Sequence, residues 1–504
     1  MSGSETEAAH GEPADLAEHG VTRGNPLARV IDRLAVLAWT ILLAGFVIVG
    51  ADCLWVVAMG DRLTSGNGAA GGLGQSGLPF AAADSRGWPN PLVLAELLLA
   101  GVHHLGSHGL VTLQLLIVAT VLAITASESR RLGASPTRAA GIVSLVVLGC
   151  LSGLVITRLP SLSLVPLVGL VALLRREHAS PSRRIWWAVA LLALWANLHG
   201  GVLIGVAILG AHLLLDRLRR RPVESIAVGA ASLAALCATP AGLRTITYYR
   251  GVFDNEAAHR GSDLWAAPSL ANPLDVLMLV AAVLFAVGAA RAASHKRSRM
   301  PLWELVAALG LVVATVQVGR NGVWLVLFLA PAAARLGRVR ALQRQGSSTG
   351  RAPESPGPAM DRGAGPGPKG RPIVAVAALV AVAAVSAILL QRGPAGTAPG
   401  TGQVAAIKAI AAGHPVLAVE PLAETLAAGG VTVWASNPLD AFARADQAAY
   451  LDFLAGGTVA EPAMAAATTA VAVAGTGQAA ALAVNPGWRR LPDIGPYAVF
   501  SRAP

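Results

Sequence analysis

The chain is poor in charged residues, in aromatic residues and in cysteine. Of its 504 residues, 13% are charged and 5% are aromatic, whereas 54% are hydrophobic and the mean hydropathy is +0.59. Soluble domains carry about 25% charged residues, so this composition excludes a soluble enzyme. All three cysteines, Cys53, Cys150 and Cys237, lie within apolar runs. A disulfide framework and a thiolate metal site are therefore excluded.

Long apolar runs recur through the first 390 positions, and about 20 apolar residues are enough to cross a bilayer. The runs lie near 34–58, 109–127, 139–157, 161–174, 185–198, 200–215, 224–241, 273–290, 301–318, 322–334 and 372–390. They predict a polytopic all-α membrane protein with about 11 transmembrane helices. Residues 91–105 are also apolar, but Glu96 interrupts them and His103 and His104 end them. This pattern favours an interfacial helix within a long first outer loop, 59–108.

The net charge of +11 comes from short basic clusters between the apolar runs. If the N-terminus is inside and residues 91–105 do not cross, the clusters around Arg33, Arg130, Arg175, Arg217 and Arg297 all fall inside, as the positive-inside rule requires. We therefore interpret the basic clusters as determinants of membrane topology, and we predict no nucleic-acid partner. An Ala-rich composition with far more arginine than lysine is typical of a GC-rich bacterial genome, so we expect the bacterial cytoplasmic membrane.

The chain divides into five predicted segments. Residues 1–28 are polar and predict a disordered cytoplasmic tail, and residues 29–344 form the main helical domain. Residues 345–371 are rich in Gly, Pro and Ser and predict a flexible cytoplasmic linker before the last span, 372–390. Residues 391–504 lie outside and predict a small α/β domain. Its predicted helices are Val404–Ala412 and Leu439–Leu454, and its predicted strands are Pro415–Val419, Val431–Ala435, Val471–Ala474 and Tyr497–Ser501.

Polar residues that are unusual for membrane segments gather at the outer ends of the predicted spans. Arg158 begins RLPS, Asn197 and His199 lie in WANLHGG, and Arg320 and Asn321 lie in VGRNG. An ionisable group costs about 2.5–3.5 kcal/mol at the centre of a span and less at its ends, so this coincidence on one side predicts a polar cavity. Each residue can instead serve as a helix cap or a snorkelling anchor.

Catalysis on a hydroxyl group also needs a general base or a metal ligand. Carboxylates in the predicted outer loops can fill either role. Asp61 follows the first predicted span and Glu96 lies on the interfacial helix, so both are candidate catalytic residues. Asp52 lies about two thirds along that span or at its outer boundary. Asp84, Asp254 and Glu256 are more typical of a solvated surface, and Asp263 lies in the same outer loop as Asp254. A divalent metal is possible, but the sequence identifies no ligand set for it.

The order of these motifs resembles a large family of uncharacterised bacterial membrane proteins that are similar in outline to the lipid-linked-sugar glycosyltransferases of the C superfamily. The resemblance extends from about Arg33 to the C-terminus. It rests on Gly60-Asp61, NPLVLAE (Asn90–Glu96), RLPS (Arg158–Ser161), WANLHGG (Trp195–Gly201), TPAG (Thr239–Gly242) and Arg320-Asn321. The resemblance implies a polyprenyl-phosphate sugar donor, an outer-loop carboxylate as base, and an acceptor in the cell envelope.

The resemblance has two departures, and they keep a second interpretation open. Pro91 and Leu92 replace the family's His-Glu, and the family's Arg-Pro-Gln turn is altered to RLPS. The first interpretation is a glycosyltransferase in which Arg158 and Arg320 meet the donor phosphate and Asn197 and Asn321 help to bind the substrate. His199 is then a third candidate catalytic residue, which hydrogen-bonds the sugar. The second is a lipid or polysaccharide transporter, or an envelope scaffold whose C-terminal domain binds a protein or glycan partner. After Asp52, however, no charge lies mid-span, which is unusual for an ion-coupled transporter.

Overall fold

The computed structural model describes residues 27–64, 77–106, 108–261, 265–294, 300–336, 370–392, 400–457 and 461–502. Apart from their last two residues, the predicted tail 1–28 and linker 345–371 lie outside the described residues, as does Asp263.

Helices dominate the first 392 residues. The described α-helices of this part are α1 (Ile31–Ala44), α2 (Ala51–Thr64), α3 (Val93–His104), α4 (Gly109–Arg131), α5 (Pro136–Gly149), α6 (Leu151–Val155), α7 (Leu164–Ala179), α8 (Trp187–Ala196), α9 (Val202–His212), α10 (Pro222–Ala235), α11 (Thr245–Phe253), α12 (Glu256–Arg260), α13 (Pro273–Ala293), α14 (Leu302–Gln317), α15 (Gly322–Ala333) and α16 (Gly370–Arg392). Two short strands, β1 (Ile48–Val49) and β2 (Ile156–Thr157), pair between them. Side-chain caps begin several helices, as at Ser135 before α5 and Asn272 before α13, each followed by a proline at the first helical position.

Every predicted apolar run contains helix, but the count of eleven spans is not confirmed. Within the described residues, four helical segments are long and apolar enough to cross a membrane: Gly109–Arg131, Leu159–Ala179, Pro273–Ala293 and Pro372–Gln391. Others are shorter, such as α5 and α10 with 14 residues each. At 1.5 Å per residue, such a helix is only about 21 Å long. The structure therefore supports a mostly helical membrane protein with at least these four candidate spans.

The first predicted span, 34–58, is not one helix. It contains α1, then β1, then the first half of α2. The helix ends at Ala44 because the backbone of Ile48 and Val49 pairs in parallel with Ile156 and Thr157 instead of continuing the helical ladder. Apolar composition alone could not reveal this pairing partner, which lies more than 100 residues away.

Ion pairs join the helix ends that carry the basic clusters. Arg175 at the end of α7 binds Glu304 at the start of α14 (Nε to Oε1, 2.7 Å), and Arg335 binds the same carboxylate at 2.5 Å. Arg130 of α4 binds Asp32 of α1 at 3.2 Å. Further pairs in this group are Arg131 and Arg176 with Glu128, and Arg217 with Glu177 and Glu224. These contacts hold the starts of α1, α10 and α14 against the ends of α4 and α7.

The opposite end of the bundle, which we call the loop face, carries the α1–α2, α8–α9 and α14–α15 connections. Helix α2 packs along α3 at this face, and the short turns Leu159–Ser163 and Gly319–Asn321 lie here as well. The predicted interfacial segment 91–105 is indeed a separate helix, α3, of 12 residues. The basic and acidic network therefore lies at one end of the molecule and the predicted site motifs at the other.

The C-terminal region is a small α/β domain, as predicted. Its helices are α17 (Thr401–Ala411), α18 (Leu422–Ala428), α19 (Arg444–Leu454), α20 (Glu461–Ala466) and α21 (Gly477–Val484), and its strands are β3 (Val416–Ala418), β4 (Thr469–Val473), β5 (Trp488–Arg490) and β6 (Tyr497–Arg502). The sheet order is β3-β4-β6-β5, with β3 and β4 parallel and the other pairs antiparallel. The predicted strand Val431–Ala435 makes only isolated bridges, from Val433 to Ala81 and to Val416.

This domain packs directly on the loop face. Val433 donates its backbone N–H to the Phe80 carbonyl oxygen at 2.9 Å and accepts from the Ala82 N–H at 2.8 Å. Helix α18 packs against α2. Farther along the interface, Arg260 of α12 pairs with Asp452 of α19 at 2.6 Å. The loop face is thus covered in part by the C-terminal domain.

Candidate functional site

The paired strands β1 and β2 place a carboxylate beside an arginine. Gly50 donates its N–H to the Thr157 carbonyl at 2.9 Å, and a Cβ at Gly50 would lie 3.2 Å from Cγ of Arg158. A larger residue at Gly50 would therefore crowd the neighbouring strand, whose atoms would have to shift by a few tenths of an ångström. Asp52 follows two residues later in the first turn of α2, and Arg158 directly follows β2. Both charges act on the thiol of Cys53, which lies between them in this region.

A second arginine joins this pair from the α14–α15 turn. The Arg320 guanidinium stacks over the Trp265 ring, 4.1 Å from its centroid. Burial lowers the pKa of Arg320, the Asp52 carboxylate opposes that effect, and the positive charge of Arg158 adds to it. Asp52, Arg158 and Arg320 are thus close enough to interact electrostatically. We call these three residues the Asp52 cluster.

His199 is held next to this cluster as a neutral imidazole. Its Nδ1 accepts from the Gly201 N–H at 3.0 Å and lies 2.8 Å from Ser163 Oγ, which itself accepts from Trp195 Nε1 at 2.7 Å. The Ser163 hydroxyl must therefore donate to Nδ1, which leaves the ring proton on Nε2. Burial, and then the charge of Arg320, lowers the pKa of His199 to about 3. His199 can donate a hydrogen bond at neutral pH but does not carry a charge there.

Tyr248 borders the same region from α11. Its hydroxyl lies 3.2 Å from the position that a Cβ would take at Gly200, so the WANLHGG turn packs on the tyrosine. Burial raises the pKa of Tyr248 well above its usual value; Asp440 adds to this effect and Arg320 opposes it. Tyr248 therefore lies between the Asp52 cluster and the C-terminal domain. The TPAG turn leads into this helix, where Thr239 and Thr245 share a 2.7 Å hydroxyl contact.

The two predicted asparagines bind backbone carbonyls. Asn197 Nδ2 donates to Ala193 O at 2.8 Å and to Ala238 O at 2.7 Å. The backbone carbonyl of Asn197 accepts from the Ala95 N–H at 3.3 Å. Asn321 Nδ2 donates to Ala314 O at 3.0 Å. These bonds join α8 to α3 and close the end of α14. Both side chains thus position the turns that carry His199 and Arg320.

The two predicted catalytic carboxylates of the first outer loop lie along the α2–α3 pair. Asp61 Oδ1 is 2.7 Å from His104 Nε2, and its side chain is about a third exposed, at 32%. Glu96 is fully buried, and Nδ2 of Asn90 lies 2.8 and 2.9 Å from its two carboxylate oxygens. Burial raises the pKa of Glu96 to about 8, and the Asn90 hydrogen bond opposes this rise. Neither carboxylate is among the groups that act on Arg320, and neither makes a contact with Arg158 or His199 in the described part of the chain.

Sequence reasoning missed Asp52, Tyr248 and Asp440 as members of this region. The apolar run continues past Asp52 to Met59, so the sequence leaves this residue either within the first predicted span or at its outer boundary. The glycines at 45 and 50, on either side of Ile48-Val49, were the one local signal that the run breaks before Asp52. Tyr248 and Asp440 could not be linked to the site from sequence, because the contacts that place them join distant segments.

The residues that could hold a metal are few. In the ranges that the structure describes, no group of three or more His, Cys, Asp and Glu side chains has the geometry to hold a metal ion. Cys53 and Cys150 are buried and free, and Cys237 is partly buried and free.

Comparisons with known proteins give a limited picture. No family model matches the chain, and no curated protein matches it. Among solved structures, the chain is similar to the apo-form crystal structure of an oligosaccharyltransferase from Archaeoglobus fulgidus, with 13% sequence identity and a TM-score of 0.44. The match covers 75% of this chain and 57% of that chain, so the present chain spans little more than half of that enzyme.

Proposed function

We propose that the chain is a membrane glycosyltransferase that transfers a sugar from a polyprenyl-phosphate donor to an envelope acceptor. The observation that carries the proposal is the Asp52 cluster, in which Asp52 and Arg158 both act electrostatically on Arg320 at the loop face. A site with two guanidinium groups and one carboxylate has a net positive charge and suits a phosphate. The Asp52 carboxylate provides a base.

The proposed reaction assigns one role to each group. Asp52 accepts the proton of the acceptor hydroxyl as its oxygen attacks the anomeric carbon. The bond from that carbon to the phosphate oxygen breaks, and the polyprenyl phosphate leaves with the bonding electron pair. Arg158 and Arg320 stabilise the negative charge that develops on the departing phosphate. His199, with its proton on Nε2, donates a hydrogen bond to the sugar or the phosphate.

Asp52 is a better candidate for the base than Asp61 or Glu96. Asp61 is engaged by His104, and Glu96 is buried against Asn90 with its pKa raised by burial to about 8. A carboxylic acid that is protonated at neutral pH cannot accept a proton. Asp52 shares its environment with the two arginines, so its carboxylate lies where a donor phosphate would also bind.

The location follows from the same proposal. The loop face would lie outside the bacterial cytoplasmic membrane, with the N-terminus inside and the C-terminal domain outside. A lipid-linked donor would then reach the Asp52 cluster laterally from the bilayer, and membrane lipid would be a partner in that sense. No nucleic acid is involved.

The first experiment measures transfer of a radiolabelled sugar from a polyprenyl-phosphate donor pool. Membranes would contain the wild type, Arg158→Gln, Arg320→Gln or the control Arg489→Gln, which removes an exposed arginine of β5. Wild-type and control membranes should transfer label above empty membranes, and each cluster variant should lose transfer by about 10-fold or more, because a charge-assisted bond to phosphate is lost. No transfer above empty membranes for any of several sugars would instead favour a transporter or a scaffold.

A further inference from the structure

A cavity of about 310 Å³ is lined by Tyr248, the residue on which Arg320 of the Asp52 cluster also acts electrostatically. Three separate parts of the chain line it: the first outer loop through Trp88, α11 through Thr247 and Tyr248, and the C-terminal domain through Asp440, Phe442 and Ala443. Its volume lies at the lower end of the range of about 300–1,000 Å³ that is usual for small-molecule sites. Such a volume suits one or two sugar rings rather than a lipid chain.

Aromatic side chains dominate one wall of this cavity. The Trp88 and Tyr248 rings meet edge to face with centroids 6.0 Å apart, and Trp55 supports Trp88 from behind at 6.4 Å. Phe442 adds a third ring to the lining. Rings fixed in this way present rigid apolar surface, which packs on the C–H faces of a pyranose or furanose ring at little cost in conformational entropy.

A hydrogen-bond acceptor is fixed at the edge of the same wall. Asp440 Oδ2 accepts from Trp88 Nε1 at 3.0 Å. A carboxylate has about four acceptor positions, so the tryptophan orients this group without saturating it. An aromatic face beside an oriented carboxylate is complementary to a ligand that has one apolar face and hydroxyl donors at its edge.

The charge of the lining disfavours an anionic ligand. Two carboxylates, Asp84 and Asp440, are among the described lining residues, which include no Lys, Arg or His. Arg244 is engaged at the edge, where it donates to the Gly87 carbonyl at 3.1 Å. Asp84 forms an exposed pair with Arg86 at 3.0 Å. A lipid phosphate would therefore be less favoured here than at Arg158 and Arg320, which do not line the cavity. The Asp52 cluster therefore suits a phosphate, and the cavity suits an uncharged ligand with hydroxyl groups.

We propose that this cavity binds a neutral sugar unit through Trp88, Tyr248 and Asp440. The assignment of that sugar as the acceptor rests on the proposed function, since the Asp52 cluster would supply the donor phosphate site next to it. The binding itself does not depend on catalysis.

The test is saturation-transfer NMR on the full chain in nanodiscs that contain no sugar-based detergent. The probes are the methyl glycosides of glucose, galactose, mannose and arabinose, with choline as a cationic comparison. The variant Ala443→Trp fills the exposed rim of the cavity. Its matched control is Ala445→Trp, also exposed and on α19 but outside the lining.

At least one glycoside should receive saturation from the wild type and from Ala445→Trp. That signal should fall about five-fold or more in Ala443→Trp and in Asp440→Ala, because packing space or a hydrogen bond is lost. Absence of signal with every glycoside, an unchanged signal in Ala443→Trp, or a signal with choline alone would overturn the proposal.

Asp52→Asn distinguishes this inference from the proposed function. If the cavity binds sugar, Asp52→Asn should still bind it even though the proposed base is absent. Sugar binding in a chain that transfers no sugar would count against the proposed function alone. Transfer without any glycoside signal would count against the cavity alone.

Discussion

At the scale of the residue, the neighbours of each ionisable side chain decide whether it is charged and whether it is free to act on a ligand. His199 is neutral because it is buried next to Arg320, with Nδ1 already accepting two hydrogen bonds. Asp61 is paired with His104 at 2.7 Å. The polar motifs RLPS, WANLHGG and RN were recognisable from sequence because polar residues at the ends of apolar runs are rare. Which carboxylate accompanies them was not recognisable, because that depends on the β1–β2 pairing.

Glu424 is a buried carboxylate of the C-terminal domain that affects stability near neutral pH. Its Oε1 accepts from the backbone N–H and side-chain amide of Asn437 at 3.2 and 3.1 Å, while Oε2 has no hydrogen-bond partner among the described residues. Burial raises its pKa to about 7, and the negative charge of Asp52 adds to the rise. The folded chain therefore keeps this proton between the ordinary value of 4.5 and about 7, whereas the unfolded chain loses it.

The free energy of unfolding should therefore fall as pH rises through this window and remain lower above it. Glu424→Gln removes this titration, so its Tm should fall less than the wild-type Tm between pH 5 and pH 8. The pKa shift of Glu424 corresponds to a few kcal/mol of unfolding free energy when the carboxyl group is fully buried. Thermal unfolding of the full chain at several pH values measures it, with exposed Asp493→Asn as the control. Parallel Tm curves for wild type and Glu424→Gln would contradict this account.

At the scale of the element, the α2–α3 pair shapes the loop face. Gly60 lies where a Cβ would collide with the Glu96 carbonyl oxygen and would come within 2.6 Å of the Ala100 side chain. The Gly60-Asp61 motif therefore reflects close helix packing at Gly60. A separate short helix at 91–105 was predictable from the length of the apolar segment and from its ending in histidines. Its tight packing on α2 was not, because 34–58 was interpreted as one span.

Gly60→Ala should destabilise the chain by about 1–3 kcal/mol, since overpacking forces the two helices apart. Gly101→Ala is the matched control on α3, because a Cβ there meets no atom within 4 Å. Better helix propensity should leave that control neutral or stabilised by up to about 1 kcal/mol. Thermal unfolding measures the Tm of both variants, and the Tm of Gly60→Ala should be the lower one. Equal Tm values would show that α2 and α3 are not in close contact at Gly60.

At the scale of the whole molecule, the C-terminal domain is part of the site region. It supplies Asp440 to the cavity beside Tyr248, places α18 against α2, and extends a backbone ladder to the first outer loop through Val433. Its α/β character was predictable from alternating apolar and polar patterns. Its attachment was not, because Val433 and Ala81 are 352 positions apart in the chain and no local pattern encodes such a pairing.

The docked arrangement predicts a specific cross-link. Ala81 and Val433 face each other across a parallel bridge, and paired positions of this kind lie within disulfide range. The double variant Ala81→Cys with Val433→Cys should form an intramolecular disulfide on mild oxidation, detected by mass spectrometry of non-reduced peptides. Ala81→Cys with Val484→Cys is the control, since Val484 is 83% exposed at the end of α21. Equal cross-linking in both double variants, or none in the first, would show that the domain does not rest on this loop.

The central claim is that Asp52, together with Arg158 and Arg320, forms the site of sugar transfer. The most direct measurement compares the initial rates of sugar transfer from a polyprenyl-phosphate donor by purified wild type, Asp52→Asn and Asp61→Asn. Equal amounts of protein are used, and the three proteins must have the same Tm. Loss of a general base costs about 100-fold or more. Asp52→Asn should therefore lose transfer to that extent, while Asp61→Asn should retain most of it. Transfer that survives in Asp52→Asn and collapses in Asp61→Asn would contradict the account.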